Sequence, residues 1–222
     1  MDSTGSNNAK QKWMATGALV AIIASALCIY YTQSRPTELN VPLHQAVGEM
    51  LAEEASRLVG AHGSVLVVTV ESRQIPELKV QVDAFEKQLR QLGGVTVKDK
   101  VKLDPRDNPK YRPGSGLSAK HFLKIARKNT GVDAIVSFIG APQLTDDEIA
   151  GMKLIPKFIA ETHSPEKLAN LIQKNILQVA IVPRYEFPAP GPKKPRSSRE
   201  WFEHYFQIVA RTTVLPTTEA TP

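Results

Sequence analysis

SVLVVTV (Ser64–Val70) is an unbroken run of aliphatic and β-branched residues, bounded by Gly63 and Glu71. A strand with one wet face alternates apolar and polar residues. A run apolar on both faces belongs to a strand covered on both sides, the habit of parallel sheets. VDAIVSF (Val132–Phe138) and QVAIV (Gln178–Val182) repeat the pattern. After the first run the period changes. Leu78, Val82, Phe85, Leu89 and Leu92 share one face of a helix over Pro76–Leu92, which Gly93 and Gly94 end. Val95, Val97, Val101 and Leu103 then alternate with Thr96, Lys98, Lys100 and Lys102, a strand with one wet face whose lysines guard an edge.

The alternation continues. An irregular Asp104–Leu117 loop, of the kind that is usually functional or disordered, leads to Ser118, the cap of a helix reaching about Asn129. Thr145 to Glu148 forms a capping box, Lys157–Ala160 a short strand, and Ser164-Pro165-Glu166 opens a helix through Ile176 with Leu168, Leu171 and Ile172 inward. Strand–helix alternation of this kind predicts an α/β fold, a three-layer Rossmann-like, mostly parallel sheet with right-handed crossovers. Placing the lysine-lined second strand at an edge gives the order 2-1-3-4-5. Ligands of such sheets sit outside the carboxyl ends of the strands, where helix N-termini favour an anionic or hydroxylated group. The candidate ligand-binding residues there are Glu71, Ser72, Arg73, Gln143, His163 and Arg184.

Upstream, Trp13–Tyr31 (WMATGALVAIIASALCIYY) carries no formal charge. Its length suits a transmembrane signal anchor, with aromatic residues at both ends. Lys10 and Lys12 before it, against Arg35 and Glu38 beyond it, place residues 1–12 in the cytoplasm as a disordered tail and the remainder outside. A cleaved signal peptide with Ala24-Ser25-Ala26 as its cleavage site is the alternative; both readings export the rest of the chain. Residues 32–63 are expected to form a stalk and a packing helix near 43–59, residues 64–184 the α/β domain, and residues 185–222 a Pro-rich arm and C-terminal segment. Within that arm Glu200–Val214 is aromatic and apolar, a helical turn followed by a strand.

The chain has 222 residues, a net charge of +6 and one cysteine, Cys28, so intramolecular disulfides and CxxC sites are excluded. The charge is too sparse and too evenly spread for nucleic-acid binding, and the Lys193–Arg196 cluster is read as a solvated linker. No GxGxxG follows the first strand, and GxxxxGK[ST], GxSxG and HExxH are missing. His44, His62, His121, His163 and His204 show no metal-ligand spacing. The expectation is a non-catalytic protein with no cofactor and no metal.

Gly131–Arg184, with VDAIVSFIGAP, KFIAETHSPEKLANLIQKNI and QVAIVPR, resembles one lobe of the type I periplasmic binding proteins, a likeness that covers residues 64–184. That resemblance implies binding of a small polar solute on the far side of a membrane, in partnership with an ABC-type importer. The family closes two lobes around its solute, and this chain has residues for one. A homodimer or an envelope protein partner would complete the site. The alternative is a structural or assembly subunit of a cell-envelope complex.

Overall fold

The computed structural model describes residues 4–33, 39–71, 75–104, 116–152, 155–163, 168–185 and 195–210. Ser72 and Arg73, most of the 104–117 loop, the Ser164–Glu166 helix start, the Pro-rich stretch at 186–194 and the last twelve residues lie outside them. The chain divides into two compact units, Met1–Leu39 and Asn40–Pro222.

The first unit contains one helix, α1 (Thr4–Gln33). It starts inside the stretch expected to be disordered. Once the apolar turns have nucleated, adding residues such as Ala9, Gln11 and Lys12 costs little, and no proline stops the helix. Leu19, Val20, Ile22, Ile23, Leu27 and Ile29 are each more than half exposed. Among the described residues no helix is long and apolar enough to cross a membrane.

The second unit is built on a parallel sheet. Its elements are α2 (Val41–Val59), β1 (Ser64–Val70), α3 (Pro76–Leu92), β2 (Thr96–Leu103), β3 (Leu117–Ser118), α4 (Ala119–Lys128), β4 (Ala134–Ser137), β5 (Pro142–Gln143), α5 (Asp146–Ala150), β6 (Lys157–Glu161), α6 (Leu168–Gln173), β7 (Val179–Pro183), α7 (Ser198–Tyr205) and β8 (Phe206–Ala210). The main sheet runs β2-β1-β4-β6-β7-β8, and β3 pairs with β5 in a separate ribbon. Five strands are parallel. The order departs from the expected 2-1-3-4-5 by β8, which adds antiparallel to β7 and carries the sheet past residue 184.

β2 also departs from strict alternation. Val65 pairs with Val97 and Leu66 with Asp99, so Lys98 is an extra residue that shifts the register. Beyond it Lys100 and Lys102 share a face with Val67 and Thr69, and Asp99, Val101 and Leu103 lie on the other. Lys100 pairs with Glu86 of α3, and Lys98 donates to Gly131 O at 3.0 Å.

Handedness explains the layers. The crossover from β1 to β2 runs one way along the sheet and places α3 on one face. The three later crossovers run the other way and place α4, α5 and α6 on the opposite face. Phe122 of α4 meets Phe158 of β6 there, edge to face at 5.2 Å. On the α3 side this winding alone leaves β4, β6 and β7 uncovered. α2, from before the first strand, and α7, from after the fifth, close it: α2 packs on α3, α7, β4, β6 and β7. Gly48 permits the α2–α3 contact, because a Cβ there would stand 2.1 Å from Gln81 O.

Candidate functional site

The register fixes which side chains share a face. Lys100 reaches α3 and sits beside Val67, so Val67 and, two residues on, Thr69 face the α2–α3 layer. Lys157 donates from Nζ to Leu58 O at the end of α2, so Ile159 and Glu161, at two-residue steps, face the same layer. α3 begins at the carboxyl end of β1, and α2 runs parallel to it. Gln81 Nε2 meets His44 Nδ1 at 3.5 Å near their starts, and Gln88 Nε2 donates to Glu53 Oε1 at 3.5 Å further along. The first turns of both helices therefore cover the carboxyl end of the sheet.

Polar groups gather in this corner. Glu161, 5% exposed, closes a strand that is otherwise apolar after Lys157. Its Oε1 accepts from His163 Nε2 at 2.9 Å, and His163 is about half exposed at 52%. Tyr185 donates its hydroxyl to His163 O at 3.3 Å. The hydrogen bond to Glu161 holds the His163 imidazole above its usual range, with burial opposing it. His44 is pushed the other way, chiefly by burial. Glu77 and Glu161 pull it back up, and His163 adds to the lowering.

Among the described residues, Thr69 Oγ1, in a residue 5% exposed, and Gln81 Oε1, in a residue 3% exposed, are buried here without a hydrogen-bond partner; Glu86 Oε1, further along α3, makes no hydrogen bond either but pairs with Lys100. Leaving such a group unpaired costs ~1–3 kcal/mol. Among the described residues no three His, Cys, Asp or Glu side chains are placed to hold a metal ion.

The residues expected at this rim meet different fates. His163 lies at the centre of the corner. Glu71 follows β1 directly and is exposed. Gln143 is exposed in β5, beside Ser118. Arg184 holds the β7–β8 ladder together: its Nε donates to Phe206 O at 3.0 Å and its backbone N–H to Tyr205 O at 2.8 Å. Ser72 and Arg73 lie outside the described residues.

Sequence reasoning missed Thr69, Gln81 and His44, and it placed Glu161 on the rim beside His163 without counting it among the ligand-binding residues. Each left a faint trace. Gln81 stands three residues after Leu78 and four before Phe85, on the apolar face of its helix. Glu161 is a carboxylate ending an apolar strand, and Thr69 is the one hydroxyl in SVLVVTV after its opening serine.

No protein-family model and no curated protein sequence matches this chain. Solved structures do. The chain is similar to XylFII in a XylFII–LytSN complex (TM-score 0.51, 12% identity, 77% of this chain and 61% of that one). It is similar to XylFII alone (TM-score 0.50, 12% identity, 76% and 60%). It also matches an ABC transporter solute-binding protein from Agrobacterium vitis bound to α-D-tagatopyranose (TM-score 0.49, 14% identity, 80% and 59%). The chain spans about half to three fifths of the length of the structures it matches. The likeness is one of fold alone: a mostly parallel α/β domain.

Proposed function

We propose that this protein is a membrane-anchored, non-catalytic binding domain that presents the carboxyl end of its sheet to a small polar solute. The observation that carries the reading is the corner of Glu161 and His163 with the unpartnered Thr69 and Gln81. It lies where parallel α/β sheets receive ligands, on a fold similar to that of the periplasmic binding proteins. His163 and Glu161 would bind directly. Glu71, Ser72, Arg73 and Gln143 would frame the opening, and Arg184 would hold β7 and β8 in place beside it. The uncharged Trp13–Tyr31 stretch, with its exposed apolar side chains along α1, supports an anchor that leaves residues from about 36 onward outside the cytoplasm.

The test is a thermal-shift screen of the full chain in detergent against pools of sugars, amino acids and nucleotides. Stabilisation by a pool that is lost in Glu161→Gln supports solute binding, and no stabilisation by any pool counts against it. Alkaline carbonate extraction of membranes checks the anchor. Release of the chain into the supernatant would overturn it.

A second reading, binding of a partner protein in an envelope assembly, is favoured by the similarity to XylFII, solved in complex with LytSN. Crosslinking in membranes distinguishes the two. A chain that captures no partner and stays monomeric fails the assembly reading.

A further inference from the structure

The sheet has two edges, and they are finished differently. β2 carries Lys98, Lys100 and Lys102, and its register shifts at Lys98. Lysines and a bulge keep an edge strand from recruiting another strand. β8 has neither device. FQIVA (Phe206–Ala210) holds no charge and no proline, and its register on β7 is unbroken from Pro183 opposite Phe206 to Val179 opposite Ala210. Among the described residues no strand lies against its outer side. We infer that the outer edge of β8 is a strand-addition site, which takes an extended segment of a partner protein carrying an acidic side chain. The inference gives the partner-binding reading a surface and is independent of the Glu161–His163 corner.

The ladder fixes which backbone groups are on offer. In an antiparallel pair, facing residues alternate between those that exchange backbone hydrogen bonds and those that do not. Arg184 N–H donates to Tyr205 O at 2.8 Å, so Gln207 opposite Val182 and Val209 opposite Ala180 belong to the bonded set. Pro183, with no N–H to give, faces Phe206 in the other set, as this phase requires. The N–H and C=O groups of Phe206, Ile208 and Ala210 therefore point away from β7. Those of Phe206 are already engaged, its N–H by Phe202 O and its C=O by Arg184 Nε at 3.0 Å. Ile208 and Ala210 are left to receive a strand.

The side chains beside the edge select the segment. A cavity of about 310 Å³ is lined by three consecutive residues of β8, Phe206, Gln207 and Ile208, so it lies along the edge of the strand and not under one face. Arg184 and Arg199 line it too, against one carboxylate, Glu203, which Arg199 Nε holds at 3.1 Å. Two arginines against one glutamate leave the cavity positive, and a guanidinium fork matches a carboxylate. A second copy of this chain fits poorly: its β8 brings no carboxylate, and its β2 brings three lysines against Asp99. An acidic segment of another protein satisfies both the backbone and the charge.

The test is fluorescence anisotropy of capped VTXTVT peptides, with glutamate, glutamine or lysine at X, against the full chain in detergent. The glutamate peptide should bind about tenfold more tightly than the glutamine peptide, as expected for one charge-assisted hydrogen bond, and the lysine peptide more weakly still. Arg199→Gln, which leaves the bonds from Arg184 to β8 in place, should shrink that preference. Equal binding of the three peptides overturns the acidic selection, and no binding by any of them overturns the site.

Strand addition also has a period of two. N-methylation of alternate amides of the glutamate peptide should abolish binding in one phase and spare it in the other, because only alternate N–H groups face β8. Two phases that bind alike overturn the edge geometry, and this arm leaves the protein untouched. Ala210→Pro removes one outward N–H, keeps the bonds to β7 and should weaken the peptide several-fold; unchanged binding in the folded variant overturns the role of Ala210. A chain that is dimeric in detergent and monomeric as Ala210→Pro would put a second copy on the edge and overturn the peptide partner. Peptide binding with no partner captured by crosslinking fails the assembly reading and leaves the site standing. A captured partner with no peptide bound does the reverse.

Discussion

The two ends of the one sheet are built to opposite specifications. At the amino end nearly every polar group is paired across elements. Ser64 donates from its N–H and its hydroxyl to Asp133 Oδ2, at 2.7 and 3.0 Å. These bonds, the backbone one foremost, hold the Asp133 carboxyl below its usual range. Lys157 ties the start of β6 to the end of α2, and Gln178 N–H donates to Phe158 O at 2.9 Å. At the carboxyl end Thr69 Oγ1 and Gln81 Oε1 are unpartnered, Glu161 is buried, and two histidines are biased in opposite directions. Satisfied polar networks give a rigid end, whereas unsatisfied buried atoms persist where something other than stability is served. Both ends carry hydrogen bonds, but the buried Thr69 Oγ1 and Gln81 Oε1 without partners lie where the strands end.

The contrast predicts different responses to mutation. The largest effect belongs to the packed body. Phe158→Ala removes a ring in contact with Phe122 from a site with no exposure, and should cost about 4 kcal/mol in chemical denaturation. A loss below about 1 kcal/mol would mean that α4 does not pack as described. Gly48→Ala comes next, at about 2 kcal/mol, because its Cβ would meet backbone and not a movable side-chain end. It should also disturb the carboxyl end alone. His44 loses its alignment with Gln81, and its titration should move towards the ordinary range while hydrogen exchange at Ser64 and Lys157 is unchanged. Equal disturbance at both ends would erase the distinction.

Much of this architecture is legible in the sequence because burial on both faces of a strand leaves a continuous apolar run. Ser64–Val70 is a strand over its full length, and Pro76–Leu92 is a helix between its expected limits. The Thr145–Glu148 capping box forms as read, with both reciprocal bonds. β8 was harder to place. FQIVA shows a strand but not its partner, and only the β7 register, closed by Arg184, reveals that it extends the sheet. The register shift at Lys98 is invisible in a pattern of lysines and valines that fits strict alternation equally well. The corner is least legible. Thr69 and Glu161 stand two strands apart and His44 precedes the domain, so nothing local in the chain joins them.

The smaller effects separate function from stability most sharply, since their signs differ. Thr69→Val replaces an unpaired buried hydroxyl by a methyl of similar shape. It should leave stability unchanged or raise it by up to ~1 kcal/mol, while weakening any ligand held at the rim. A clear loss of stability would show that the hydroxyl has a partner in the folded protein.

The last comparison is of pH dependence. Folding raises the His163 midpoint, so its contribution is fully present below the ordinary histidine value and is lost as pH rises through the folded midpoint. Wild type should therefore exceed His163→Ala in melting temperature by more at pH 5.5 than at pH 9. Half exposure limits the difference to below ~1 kcal/mol. Folding lowers the His44 midpoint, so the sign reverses: stability is lost as pH falls below the ordinary value, and His44→Gln should gain on wild type in acid. Two histidines moving stability in opposite directions over the same pH range would separate the hydrogen bond that holds His163 to Glu161 from the burial that dominates at His44. Parallel behaviour of the two variants would reduce the corner to ordinary surface chemistry.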